Sequence, residues 1–87
     1  MEPSILRSDL LARRSDLVLA RPGRVDCVVY DVLGREVRSL ARGAWLEAGT
    51  RSLAWNGRRN DGGEAGAGVY FVRLRTADGS WTRAVVR

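Results

Sequence analysis

The stretch between residues 55 and 76 constrains the fold of this chain more than any other part. Trp55 closes one alternating segment, residues 56–68 then contain five glycines, and a second alternating segment follows at 69–76. Glycine and asparagine supply the backbone conformations of tight turns, and a period of two between apolar and polar residues is typical of a half-buried strand. The pattern therefore predicts a strand, a long loop and a second strand. The inner face of the second strand is predicted to carry Tyr70, Val72 and Leu74.

Turn signals separate further alternating segments along the chain. Pro22-Gly23, Gly34 and Asp78-Gly79 each offer a glycine where a tight turn needs positive φ. The segments that these and similar turns separate are predicted to be strands at 15–20, 24–30, 35–40, 50–55 and 81–86. Short strands with regular turns and no convincing helix predict an all-β fold, a small antiparallel sandwich.

The sequence predicts one sandwich domain over residues 15–87, preceded by a lead-in at 1–14. In the lead-in, a strand near Ile5 and a short helix around Leu10 fit the pattern equally well. No apolar run approaches the length of a membrane span, and the first residues lack the basic and apolar regions of a signal peptide.

The charge balance is +5, from 15 basic and 10 acidic residues, and every basic residue is arginine. A pI of 10.9 is compatible with an anionic partner. The arginines are dispersed, however, and mostly alternate with apolar residues as the outward side of a strand would. A solvated sheet face is therefore favoured over a nucleic-acid-binding stripe.

Catalytic chemistry finds little support in the sequence. The chain has no histidine, so a serine or threonine nucleophile would lack its usual neighbouring base. The single cysteine, Cys27, excludes an intramolecular disulfide, and its place among valines predicts a small buried hydrophobic residue. We expect no catalytic residue, no metal ligand, no cofactor and no enzymatic activity.

The loop at 56–68 also permits a calcium-binding interpretation, because Asn60, Asp61 and Glu64 carry oxygen ligands. Arg58 and Arg59 oppose it, since their charges repel a cation. Turn chemistry is favoured instead, with one tight turn at each of Asn56-Gly57 and Asp61-Gly62.

The three tryptophans are predicted to lie in the core or to cover one end of it, because exposing so large a ring forgoes about 2–3 kcal/mol of burial. Trp45, beside Leu46, is expected to cap an end of the sandwich from a connection at 43–49. An aromatic platform for sugar stacking is the alternative.

Four segments, at 29–37, 46–50, 55–58 and 67–74, together resemble a known family in order and spacing. The family is the immunoglobulin-like domain of flagellar hook-capping proteins, whose pattern recurs in the C-terminal sorting domains of type IX (Por) secretion cargo. Asn56 stands where the family usually has aspartate. The resemblance implies an immunoglobulin-like β-sandwich of about seven strands.

Two functions follow from the resemblance. The first is a non-catalytic C-terminal sorting or adaptor module of a secreted or surface bacterial protein, which a translocon recognises as a folded surface. The alternative is a scaffold domain of a flagellar hook-cap-like assembly protein. A small module that binds an anionic glycan or nucleic acid is a third hypothesis.

The expected partner is a protein, and the last hairpin is the expected contact. A free sheet edge would also allow a dimer. The chain is expected to belong to a longer bacterial protein that is secreted or displayed at the cell surface. The candidate recognition surface consists of Phe71, Arg73, Arg75, Arg83 and Arg87.

Overall fold

The computed structural model describes residues 5–8 and 14–87 and contains strands throughout. The strands are β1 (Ile5–Ser8), β2 (Arg14–Leu19), β3 (Gly23–Tyr30), β4 (Glu36–Leu46), β5 (Gly49–Ala54), β6 (Val69–Thr76) and β7 (Gly79–Val86). In the described part of the chain, no helix is long and apolar enough to cross a membrane.

The strands form two antiparallel sheets. One has three strands in the order β1-β2-β5, and the other has four in the order β4-β3-β6-β7. The edge strands β1 and β7 lie beside each other where the two sheets meet. The predicted all-β antiparallel sandwich is therefore confirmed.

The core lies between the sheets and follows the predicted alternation. Leu17 and Leu19 project from β2 and are 0% and 3% exposed. Every second residue of β3 and of β6 projects inward from the four-stranded sheet, because successive side chains of a strand point to opposite faces. These inward residues are Val25, Cys27, Val29, Tyr70, Val72 and Leu74, and all six are buried.

Strand β4 is longer than the sequence predicted. It runs from Glu36 to Leu46, through the segment expected to be a connection, so that only residues 47–48 separate it from β5. The pairing of β4 with β3 is irregular, with register shifts beside Cys27 and between Val29 and Tyr30. Bulges of this kind bend a strand without ending it, which is why the turn-like composition of this segment was misleading.

The turn at 31–34 forms as predicted. Gly34 has φ of 79°, and the Asp31 carboxylate accepts hydrogen bonds from the backbone N–H groups of Leu33 and Arg35, both at 2.9 Å. Two other turns differ from expectation. Gly23 begins β3 without positive φ, and the last hairpin turns at Ala77 and Asp78, because Thr76 pairs with Gly79.

The segment predicted as a lead-in contains β1, which agrees with the strand alternative near Ile5. The helix alternative around Leu10 lies outside the described residues.

Candidate docking surface

The five predicted recognition residues do not form one surface. Phe71, Arg73 and Arg75 project from the outer face of β6, opposite to the core. Arg83 pairs with Val72, whose side chain is buried, so Arg83 projects from the inner side of the edge strand β7. The Arg87 side chain turns into the loop at 56–68. Only the three residues of β6 are therefore neighbours.

The outer face of the four-stranded sheet is set by strand register. Phe71 lies between Tyr30 of β3 and Ala84 of β7, and Arg73 lies between Val28 and Thr82. The guanidinium carbon of Arg73 is 5.9 Å from the centre of the Tyr30 ring, a cation–π contact. This contact fixes the Arg73 side chain against the sheet and leaves its hydrogen-bond donors available.

Both carboxylates on this face already have partners. Glu36 accepts hydrogen bonds from Arg42 at 2.7 and 2.8 Å and from Asn60 at 2.8 Å. The Arg42 hydrogen bond is the main reason that the pKa of Glu36 lies below its usual value. Asp26 accepts the backbone N–H of Gly43 at 2.6 Å.

Arg73 and Arg75 therefore carry charges that no carboxylate of the described residues offsets within 4.0 Å. Beside them, the sheet has a shallow depression of about 110 Å³. Its lining residues are Asp26, Val28, Tyr30, Glu36, Arg42, Arg73 and Arg75.

Apolar side chains occupy one end of the same outer face. Val69 and Val86 are directly paired and are 43% and 41% exposed. The turn after Tyr30 lies at this end and exposes Val32 and Leu33 at 68% and 73%. This exposed apolar group was not predicted, because the register that brings β7 beside β6 cannot be read from the sequence of either strand alone.

Arg87 has a structural role. Its guanidinium donates a hydrogen bond to the carbonyl oxygen of Ala65 at 2.7 Å, and its backbone exchanges two hydrogen bonds with Gly68. The Arg87 Nε lies over Gly57, so close that a side-chain carbon there would overlap it. Arg87, which was predicted to belong to the recognition surface, is therefore half-buried and engaged with the loop.

The aromatic residues of the family pattern organise the same loop. The Trp55 indole N–H donates to the carbonyl oxygen of Arg58 at 2.8 Å, and the Tyr70 hydroxyl donates to that of Gly66 at 2.5 Å. The two rings meet edge to face with their centres 4.9 Å apart. Trp55 and Tyr70 thus build the core and its loop, and neither side chain is free for a ligand.

Two of the three potential calcium ligands, Asn60 and Asp61, are engaged within the protein, and Glu64 is exposed. The Asn60 amide donates to Glu36 and its oxygen accepts the backbone N–H of Ser39, while the Asp61 carboxylate accepts that of Gly63 at 2.8 Å. No group of acidic, cysteine or histidine side chains in the described residues could hold a metal ion. The predicted turns at Asn56-Gly57 and Asp61-Gly62 are confirmed by positive φ at both glycines.

The tryptophans have three different environments. Trp55 is 3% exposed in the core, and Trp81 packs partly buried against it, as predicted. Trp45 is 58% exposed, so its predicted capping role was wrong. It pairs with Arg24 and projects from the outer face, because β4 continues through its position. One exposed ring does not make a platform for sugar stacking.

The Cys27 side chain is buried, as predicted. Burial raises its pKa to about 11, so the reactive thiolate is scarce at neutral pH.

A further concavity lies at the opposite end of the sandwich from the long loop. It has a volume of about 250 Å³ and a mainly apolar lining that includes Leu19, Pro22 and Val25. An ion pair between Arg21 and Asp78 lies at its rim. Arg21 and Asp78 pair with each other, and Arg24 donates to the Gly43 carbonyl oxygen at 2.8 Å, so the concavity lacks converging polar groups that would orient a ligand.

Comparison with known proteins agrees with this architecture. No curated protein and no solved structure is significantly similar to the chain. A family model described as the FlgD Ig-like domain matches residues 17–80, which is more than half of the chain. The match covers the strands from β2 to the start of β7, including the Trp55 and Tyr70 pair. The chain therefore belongs to the family of FlgD Ig-like domains, the immunoglobulin-like domains of the flagellar hook cap.

Proposed function

We propose that this domain is a non-catalytic scaffold module of a hook-cap-like assembly, and that it contacts a protein partner through the outer face of its four-stranded sheet. One observation carries the proposal. Trp55 and Tyr70 of the family pattern are used inside the fold, whereas Arg73 and Arg75 lie on the outer face with no carboxylate of the described residues within 4.0 Å. A surface with unmatched charges and exposed valines is suited to binding another protein.

The family match supports the hook-cap alternative over the sorting function. The matched model is the hook-cap domain, while the sorting function depends on the recurrence of the same pattern in type IX cargo. Arg87, which belongs to the recognition surface predicted for the sorting function, is bound to the loop at 56–68. The proposed location, a surface-exposed part of a longer bacterial protein, agrees with either function.

A domain exchange tests the proposal. The 87-residue chain replaces the immunoglobulin-like domain of a flagellar hook-cap protein, and the chimera is expressed in a strain that lacks the hook cap. Restored hooks and swimming are expected, and an unrelated immunoglobulin-like domain of similar size is the control. Hooks that fail to form, while the chimera is stable and exported, would contradict the proposal.

The sorting function has its own test. The chain is fused behind an export signal and a reporter in a type IX secretion host. Reporter at the cell surface would favour the sorting module, and reporter retained in the periplasm would count against it.

A further inference from the structure

We infer that the outer face of the four-stranded sheet binds an extended, acidic segment of a partner protein. Two carboxylates of that segment pair with Arg73 and Arg75, and a neighbouring apolar side chain covers Val69 and Val86. The inference rests on the proposed function, in which the domain docks a protein, and adds the chemistry of what is docked.

The spacing of the two arginines favours an extended ligand. Arg73 and Arg75 are alternate residues of β6, so their side chains leave the same face about 7 Å apart along the strand. Alternate acidic residues of an extended peptide have the same spacing. Two carboxylates could therefore contact both guanidinium groups without bending the peptide.

The other charges on the face argue against a uniform polyanion. Asp26 and Glu36 lie in the same depression as the two arginines. Asp26 is the cross-strand neighbour of Arg75, so the depression can accept few further negative charges. A nucleic acid or sulfated glycan would bring charges against these carboxylates along its whole length, whereas the partner segment brings only the two carboxylates that pair with the arginines. A polyanion would also leave the exposed Val69 and Val86 uncovered, whereas a protein segment can supply an apolar residue at that end.

The sheet edges are less suitable than the face. Arg51 on β5 pairs with buried Leu17, and Arg83 on β7 pairs with buried Val72, so both edge strands carry an inward-facing arginine. Inward charges on edge strands oppose the addition of another strand. Part of the β4 edge is covered as well, because Asn60 bonds to Val37 and Ser39.

A peptide titration tests the inference on the 87-residue chain. The probe is a synthetic heptapeptide with valine at position 1, aspartate at positions 5 and 7 and serine elsewhere, which matches the spacing of Val69, Arg73 and Arg75 on one face of β6. The control has asparagine in place of aspartate. Binding is followed by amide chemical shifts. We expect shifts along β3, β6 and β7, with weaker binding at higher salt. The asparagine peptide should bind much more weakly.

Matched variants locate the site. Arg73→Gln combined with Arg75→Gln should lower the affinity for the aspartate peptide by about tenfold. Val86→Asp should also weaken binding of the aspartate peptide, because the new carboxylate at the apolar end repels the acidic peptide. Arg35→Gln combined with Arg59→Gln removes the same charge elsewhere and should leave binding unchanged. Thermal unfolding of each variant separates lost binding from lost folding.

Several results would overturn the inference. These are no shifts up to about 1 mM peptide, equal binding by the double arginine variant, tighter binding of heparin or DNA at the same residues, or self-association through this face. If the chimera builds hooks and the arginine variants change nothing, the inference is wrong and the proposed function stands. If the peptide binds to this face but the chimera builds no hooks, the inferred binding surface is supported and the proposed scaffold function in hook assembly is wrong.

Discussion

Arginine serves opposite purposes in the 56–68 loop and on the outer face of β6. Arg87 donates to the Ala65 carbonyl oxygen in the loop, and its Nε is buried without a partner. Arg73 and Arg75 lie in regular strand and have no carboxylate partner among the described residues. Hydrogen bonds from Arg58 and Arg87 to loop carbonyl oxygens define the conformation of the irregular region. Strand pairing defines β6 without Arg73 or Arg75, so the charges of these two residues are available for a partner.

The largest expected effect comes from removing the Trp55 side chain, against which the loop at 56–68 packs. Trp55→Ala should destabilise the domain by about 3–5 kcal/mol, because it leaves a cavity and removes the indole donor to Arg58. Chemical denaturation measures the change. A loss below about 1 kcal/mol would show that the loop does not depend on Trp55.

Gly57 tests the contact with Arg87. Gly57→Ala should cost about 2–3 kcal/mol, because alanine resists the φ of 78° and its methyl group would displace the guanidinium. Gly66→Ala is the control, since Gly66 has open space around it. Equal denaturation midpoints for the two variants would contradict the proposed packing.

Substituting one arginine in each region compares them directly. Arg87→Met keeps the aliphatic stem but loses the bond to Ala65, and it should cost about 1–2 kcal/mol. Arg75→Met should change stability by less than about 0.5 kcal/mol, because that side chain is exposed and without a carboxylate partner. Comparable losses in thermal unfolding would remove the distinction between the two regions.

The smallest effect concerns pH. The pKa of Glu36 is lowered in the folded protein, so its contribution to stability is present above its unfolded value of 4.5 and is lost as pH falls through the folded value. Glu36→Gln should therefore flatten the fall in unfolding midpoint below about pH 4.5. Glu64→Gln is the control with the same charge change. Parallel pH profiles for the wild type and Glu36→Gln would contradict the Arg42 contact.

The sequence was sufficient for features that depend on strand alternation. Val25 and Leu74 were predicted to face inward and do, because a strand buried on one side repeats every second residue. The turn at Gly34 was predictable for a similar local reason, since its glycine has the positive φ expected of a hairpin loop.

Features that depend on pairing between distant strands could not be predicted in the same way. Alternation on β7 places Arg83 with Val85, but only the register shows that this face opposes Val72. The position of the Arg87 side chain depends on its contacts with the loop at 56–68. An arginine at the end of a strand does not indicate such contacts in the sequence. Trp45 was misplaced because the bulged pairing of β4 has no clear sequence signal.

The buried thiol has a practical consequence for testing the surface. Cys27 is buried, and burial raises its pKa to about 11. A thiol-reactive dye or spin label at neutral pH should therefore not react with it. A single cysteine introduced at Thr82, across from Arg73, would then become the preferred labelling point. The native chain thus allows a reporter beside the docking face without first removing its own cysteine.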